Sequence, residues 1–197
     1  MSTASDNPAL VRTTIWLNYA FSFVMMLVIA GILTAAMTLQ YGYGELPCPL
    51  CLLQRLAMFG VCFGLLQNFR IGFSYQNTGI SLLFATLLLV IAARQTLLDI
   101  YPRPGHEYIG SAVLGLHMPV WSVIIALYIL TAFALKLTVL GDTKHLTDTK
   151  GRDLPVLGGL ANLLGLYIVA LCLVNTVSVL VQCGLNECHT FGYQLLQ

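Results

Sequence analysis

The chain has 197 residues, of which 58% are hydrophobic and 9% are charged, and its mean hydropathy is +0.84. A soluble domain is about half apolar and about a quarter charged, so this composition excludes that class and indicates an integral membrane protein. The formal net charge of +1 gives no basis for binding nucleic acid or another strongly charged partner.

Five apolar stretches of the chain are long enough, or nearly so, to cross a bilayer, which requires a helix of about 20 apolar residues. In order, they run from Ile15 to Leu39, Pro49 to Phe69, Thr78 to Leu98, Val120 to Leu140 and Val156 to Val181. No small-residue cleavage site follows the first stretch, so we expect it to be a retained span. Because the connections are short, the expected fold is an all-α, compact transmembrane bundle that forms a single membrane domain over residues 1–197.

Basic residues are distributed unevenly between the two ends of these spans, and cytoplasmic ends are usually the ones enriched in Lys and Arg. One side carries Arg12, Arg70, Lys136, Lys144, Lys150 and Arg152. The other side has Arg103 in a loop, with Arg55 and Arg94 in nearby parts of spans. The distribution predicts a multi-pass protein with a cytoplasmic N-terminus and a C-terminus on the opposite side of the membrane, which in a bacterium is the periplasm. Disulfides persist in the periplasm, and the cysteines expected to face it are Cys48, Cys51, Cys183 and Cys188.

A Cys-Pro-Leu-Cys motif, Cys48 to Cys51, opens the second span. Pro47 and Pro49 bracket its first cysteine, which suits a helix start because proline is tolerated in the first turn and costly later. The exposed amides of a helix N-terminus favour a thiolate, so the pair is suited to thiol-disulfide exchange. Arg55 lies four residues after Cys51, on the same helix face.

An arginine at the membrane boundary is costly unless it is paired or used. One interpretation of Arg55 is an anchor whose side chain extends to water at the helix end. The functional interpretation is that it stabilises a thiolate and the negative charge that develops on an electron acceptor.

The stretch CPLCLLQRLAMFG resembles the bacterial disulfide bond formation protein B (DsbB) family of membrane thiol oxidases. The phrases LLDIYPRPG after the third span and GLHMPVW at the start of the fourth are also similar to loop boundaries of that family. The resemblance covers about spans one to four and implies a four-helix core, to which this chain adds one span.

The resemblance also implies an activity. A member of this family oxidises a periplasmic thioredoxin-like (DsbA-like) protein and passes the electrons to the membrane quinone pool, ubiquinone or menaquinone, and no metal is expected. Carried over by position, Cys51 would engage the quinone ring, Cys48 would be its exchange partner, and Arg55 would belong to the quinone pocket. Gln95 stands where a family member can carry a histidine near the quinone. Its alternative interpretation is a polar residue that is hydrogen-bonded between helices.

The chain departs from the family's pattern in its second cysteine pair. Typical members hold that pair in the loop between spans three and four, but the loop from Tyr101 to Met118 has no cysteine. Instead, Cys183 and Cys188 follow the fifth span. We expect this pair to replace the loop pair and to relay electrons from the protein partner to the first pair. The alternatives are a structural disulfide that closes a small turn and a metal site built from the pair and His189, with His106 or His117 added.

Two other functions remain open at the level of sequence. The first is a non-catalytic membrane subunit that retains a thiol-oxidase scaffold with structural disulfides, although a structural disulfide does not require Arg55 beside it. The second is a quinone-linked thiol oxidoreductase of the vitamin K epoxide reductase type. In that type the CxxC motif belongs to a late span, whereas here it opens the second span.

Overall fold

The computed structural model describes residues 8–101, 114–140 and 154–184. These residues form five helices. They are α1 (Pro8–Gly42), α2 (Pro49–Ile71), α3 (Tyr75–Ile100), α4 (Met118–Leu140) and α5 (Pro155–Cys183). All of them are long and apolar enough to cross a membrane. Each predicted span lies within one of these helices, and the predicted fold class, an all-α bundle of five spans, is confirmed.

The start of α2 is set by side-chain capping. Cys48 is the N-cap residue, and its Sγ accepts a hydrogen bond from the backbone N–H of Cys51 at 3.1 Å. Pro49 occupies the first helical turn, where the missing N–H has no partner to lose. The CxxC motif therefore lies at the helix N-terminus, as the flanking prolines indicate.

Helices α2 and α3 approach each other closely because glycines line part of their interface. The ring of Phe84 lies against Gly60, where a β-carbon would collide with it. A β-carbon on Gly64 would likewise overlap Ser81, whose Oγ donates a hydrogen bond to the carbonyl oxygen of Val61 at 2.9 Å. This packing fixes the rotation of α3 relative to α2.

The core of the bundle is an apolar cluster to which all five helices contribute. Its fully buried members include Met26, Ile29, Leu33, Val61, Leu65, Leu88, Ile129 and Phe133. Many large apolar side chains lie instead on the outer surface of the helices, which is the arrangement expected where lipid is the solvent.

Hydrogen bonds and ring contacts define the two ends of the bundle. At one end, which we call the cysteine end, the start of α2 meets the ends of α3 and α5 and the start of α4. At the opposite end, the Lys136 ammonium of α4 lies over the rings of Phe21 and Phe73, at 5.2 and 5.4 Å from their centroids. These cation-π contacts stabilise a charge that is otherwise buried in the protein.

Candidate redox site

The centre of the candidate site is a disulfide between Cys48 and Cys51 at the start of α2. The Cα atoms of the two residues are 5.0 Å apart. Cys48 is buried and Cys51 is partly buried, so the bond lies just below the surface of the cysteine end. Among the described residues, Cys62 and Cys172 are free cysteines within helices.

A chain of hydrogen bonds leads from α4 to the two sulfur atoms. Ser122 Oγ donates to Gln54 Oε1 at 2.8 Å, and Gln54 Nε2 donates to Gln95 Oε1 at 2.8 Å. Gln95 Nε2 then donates to the Sγ atoms of Cys48 and Cys51, at 3.3 and 3.5 Å. Because the carbonyl oxygen of Gln95 is held by Gln54, the amide N–H groups of Gln95 face the sulfur atoms.

Arg55 lies one turn further along α2 and is held by α1. Its Nη1 donates to Gln40 Oε1 at 2.6 Å, and its Nη2 donates to the carbonyl oxygen of Ala36 at 3.1 Å. Nη1 also contacts Met37 Sδ at 3.7 Å. The side chain is only 8% exposed, so its charge is held inside the bundle by hydrogen bonds with polar groups.

A cavity of about 270 Å³ lies beside the disulfide, between α1, α2, α4 and the segment that precedes Cys48. Its polar lining residues are Glu45, Cys51, Gln54, Arg55 and Ser122. Most of the remaining lining is aliphatic, with the indole of Trp121 on the α4 side. Small-molecule pockets usually measure about 300–1,000 Å³, so this one is sized for a single ring system and not for a long-tailed molecule in full. Gln95 does not line the cavity, because its side chain lies between Gln54 and the two sulfur atoms.

The end of α5 lies next to the start of α2. Gln182 is completely buried, and its Nε2 donates to the carbonyl oxygen of Pro47 at 2.8 Å. The contact joins the residue before Cys183 to the residue before Cys48. Cys183 itself is buried and disulfide-bonded, whereas Cys188 lies outside the described residues.

Four residues of these networks were not identified from the sequence. They are Gln40, Gln54, Ser122 and Ser178, whose Oγ accepts a hydrogen bond from Gln40 Nε2. Each is a polar residue in an apolar span, a pattern that usually marks a side chain facing the bundle interior. That pattern could have identified the four residues from the sequence, but it does not show which of them are hydrogen-bonded to each other.

One comparison with known proteins gives a match. Residues 18–107 match the family model described as Disulfide bond formation protein DsbB. This part of the chain, a little less than half of it, is similar to the DsbB family. Neither a comparison with curated proteins nor one with solved structures gives a match.

The resemblance noted in the sequence is thus confirmed over these residues, and the match supports an oxidoreductase function in disulfide bond formation at a membrane. The matched segment begins within α1 and ends beyond α3, so it contains Cys48, Cys51, Arg55 and Gln95. Helices α4 and α5 lie outside it. Trp121 of the cavity wall and Gln182, which contacts Pro47, therefore come from the part of the chain beyond the match.

Proposed function

We propose that this protein reoxidises a periplasmic thioredoxin-like dithiol protein and passes the electrons to a membrane quinone, ubiquinone or menaquinone. The observation that carries the proposal is that Cys51 and Arg55 line the same cavity beside the disulfide. A protein with this role lies in the bacterial inner membrane with its cysteine end toward the periplasm. The distribution of basic residues supports that orientation.

The lining of the cavity suits a quinone ring. Its aliphatic wall and the indole of Trp121 offer an apolar surface, and Arg55 is a cationic hydrogen-bond donor suited to a carbonyl oxygen. Bound there, a quinone would accept two electrons and two protons and leave as quinol. The volume of about 270 Å³ accommodates the ring, while an isoprenoid tail would extend into the lipid.

The two cysteines perform the exchange chemistry. A thiolate of the immediate donor dithiol attacks one sulfur of the Cys48–Cys51 disulfide, so that a mixed disulfide forms and the other cysteine leaves as a thiolate. The second donor thiolate then attacks the donor's own sulfur in the mixed disulfide and releases the remaining cysteine. The donor is then a disulfide, and Cys48 and Cys51 are thiols. Of the two, Cys51 lines the cavity and is the electron donor. Loss of two electrons and two protons from the pair restores the starting disulfide.

Gln95 assists the exchange reaction through its hydrogen bonds to the sulfur atoms. Its amide N–H groups face both Sγ atoms and would stabilise negative charge on either one when the pair is reduced. The arginine anchor favoured by the alternative interpretation would extend to water, whereas the Arg55 side chain is buried and hydrogen-bonded to α1. Burial beside the thiols supports a role for its charge in the reaction.

The second cysteine pair is proposed to meet the protein partner first. Electrons would pass from the partner to a Cys183–Cys188 disulfide and then to Cys48 and Cys51, each time through a mixed disulfide. The contact between Gln182 and Pro47 supports this order, because it holds the end of α5 at the entrance to the first pair.

The proposal is tested with purified protein in lipid nanodiscs, a reduced thioredoxin-like protein and decylubiquinone, whose absorbance reports quinone reduction. Cys51→Ala should abolish the reaction, while Cys62→Ala, a free cysteine of the same helix, should leave it unchanged. Arg55→Ala should raise the quinone KM about tenfold, the effect of losing one hydrogen bond to a charged group.

Arg94→Ala is the matched control for the arginine, because Arg94 is an exposed arginine of α3. Full activity of Cys51→Ala would refute the catalytic assignment. If the wild-type protein reduces no quinone with any dithiol donor, the non-catalytic subunit becomes the better description.

A further inference from the structure

Helix α5 has one polar face that is buried against the rest of the bundle. Asn175, Ser178 and Gln182 are each buried, although most of their neighbours along α5 are apolar. Their spacing of three and four residues places them on the same side of the helix. This helix lies beyond the residues that match the family model.

Ser178 is connected to Arg55 through a single side chain of α1. Gln40 Nε2 donates to Ser178 Oγ at 2.6 Å, and Gln40 Oε1 accepts from Arg55 Nη1 at 2.6 Å. A guanidinium only donates hydrogen bonds, and the carbonyl oxygen of Gln40 is the short-range acceptor of Arg55 Nη1. Ser178 accepts from the other end of the same amide and so holds the Gln40 side chain beside Arg55, while the guanidinium selects which end faces it.

Because Gln40 and Ser178 are both buried, the hydrogen bond between them is costly to lose. Gln40 is 2% exposed and Ser178 is 3% exposed, so water does not readily replace a lost partner. Removing the Ser178 hydroxyl would take away the acceptor of a buried amide N–H, which favours rotation of Gln40 toward another acceptor. Any such rotation withdraws one of the oxygens that hold Arg55.

We propose that Ser178 is a positioning residue of the quinone site, which acts through Gln40 to orient Arg55 at the cavity. The fifth span is then a working part of the redox site and not only an added membrane anchor. The contact between Gln182 and Pro47 keeps α5 in the register that this role requires. The inference rests on the proposed function, in which Arg55 contacts the quinone.

A binding measurement without turnover tests it. The chain has two tryptophans, and Trp16→Phe leaves Trp121, which lines the cavity, as the fluorescent reporter. Decylubiquinone is titrated into the oxidised protein in nanodiscs, and quenching gives its Kd. Ser178→Ala should raise the Kd about fivefold to tenfold, as expected when a buried hydrogen bond is lost. Thr176→Ala should not change it, because Thr176 is exposed and its hydroxyl bonds within α5.

A double-variant comparison separates positioning from general loosening of the bundle. If Ser178 acts through Arg55, Ser178→Ala should have no further effect on the Kd in an Arg55→Ala background. In steady-state assays with a small dithiol as donor, Ser178→Ala should raise the quinone KM with little change in kcat.

Two results would overturn the inference alone, with the wild-type protein active: a wild-type Kd for Ser178→Ala, or an equal loss of affinity with and without Arg55. Failure of the wild-type protein to bind and reduce the quinone would remove the proposed function itself, and this inference with it.

Discussion

Replacing Gln95 with leucine should make the Cys48–Cys51 disulfide harder to reduce. The Gln95 Nε2 atom lies 3.3 and 3.5 Å from the two sulfur atoms. A thiolate accepts a hydrogen bond more strongly than a disulfide sulfur does, so the amide stabilises the reduced pair more than the oxidised pair. Leucine has a similar size but cannot donate a hydrogen bond, so the substitution should mainly destabilise the reduced pair.

The size of the effect follows from the strength of such contacts. A hydrogen bond to a charged group contributes about 1.5–3 kcal/mol, and the long distances to sulfur favour the lower end of that range. For a two-electron couple, about 1.4 kcal/mol corresponds to about 30 mV. We therefore expect the reduction potential of the Cys48–Cys51 pair in Gln95→Leu to be about 30 mV lower than in the wild-type protein.

The potential is measured on quinone-free protein equilibrated in dithiothreitol buffers of graded potential. Free thiols are alkylated, and mass spectrometry of the peptide that contains both Cys48 and Cys51 reports their state without interference from Cys183. Thr96→Val is the matched control, since the Thr96 hydroxyl bonds to the Ala92 carbonyl oxygen within α3. A Gln95→Leu potential within about 10 mV of the wild-type value, or an equal shift in Thr96→Val, would refute the reasoning.

Three further predictions concern the surroundings of the site. Gln54→Leu should also lower the reduction potential of the Cys48–Cys51 pair, but by less than Gln95→Leu does, because Gln54 only orients the Gln95 amide. A larger shift than that of Gln95→Leu, measured in the same buffers, would contradict this. Cys183→Ala should block oxidation of a thioredoxin-like protein and spare that of a small dithiol, and normal oxidation of both in a quinone-reduction assay would make this pair a structural disulfide. Gly64→Ala should destabilise the fold by about 1–3 kcal/mol in thermal unfolding, since the new methyl group would overlap Ser81. Gly31→Ala, where nothing lies within 4 Å of the added carbon, should be neutral or slightly stabilising.

The composition and local pattern of the chain were enough to predict the fold class and the placement of the motif. Span number depends on runs of apolar residues, and the start of α2 depends on Pro49 and Cys48, which are adjacent in sequence. The shared face of Cys51 and Arg55 follows from helical geometry alone. All of these features are set within a few residues, and a single sequence carries that information.

The hydrogen-bond partners could not be read in the same way. Gln54 and Gln95 are 41 residues apart, and Gln40 and Ser178 are 138 residues apart. Apolar runs say that a helix crosses the membrane, but they leave open its rotation about its own axis and its depth. Steric packing between helices, such as the ring of Phe84 against Gly60, sets that rotation.

Gln95 illustrates the difference. Its position in the sequence indicated only a polar residue near the end of the third span, which the family resemblance connected with the quinone. In the folded bundle the Gln95 amide faces the sulfur atoms and not the cavity. Gln54 lies between Gln95 and the cavity and holds the carbonyl oxygen of Gln95. The sequence thus specified which polar groups enter the membrane, and the packing of helix against helix specified which of them meet, since a buried polar group can only bond to what the neighbouring helix presents.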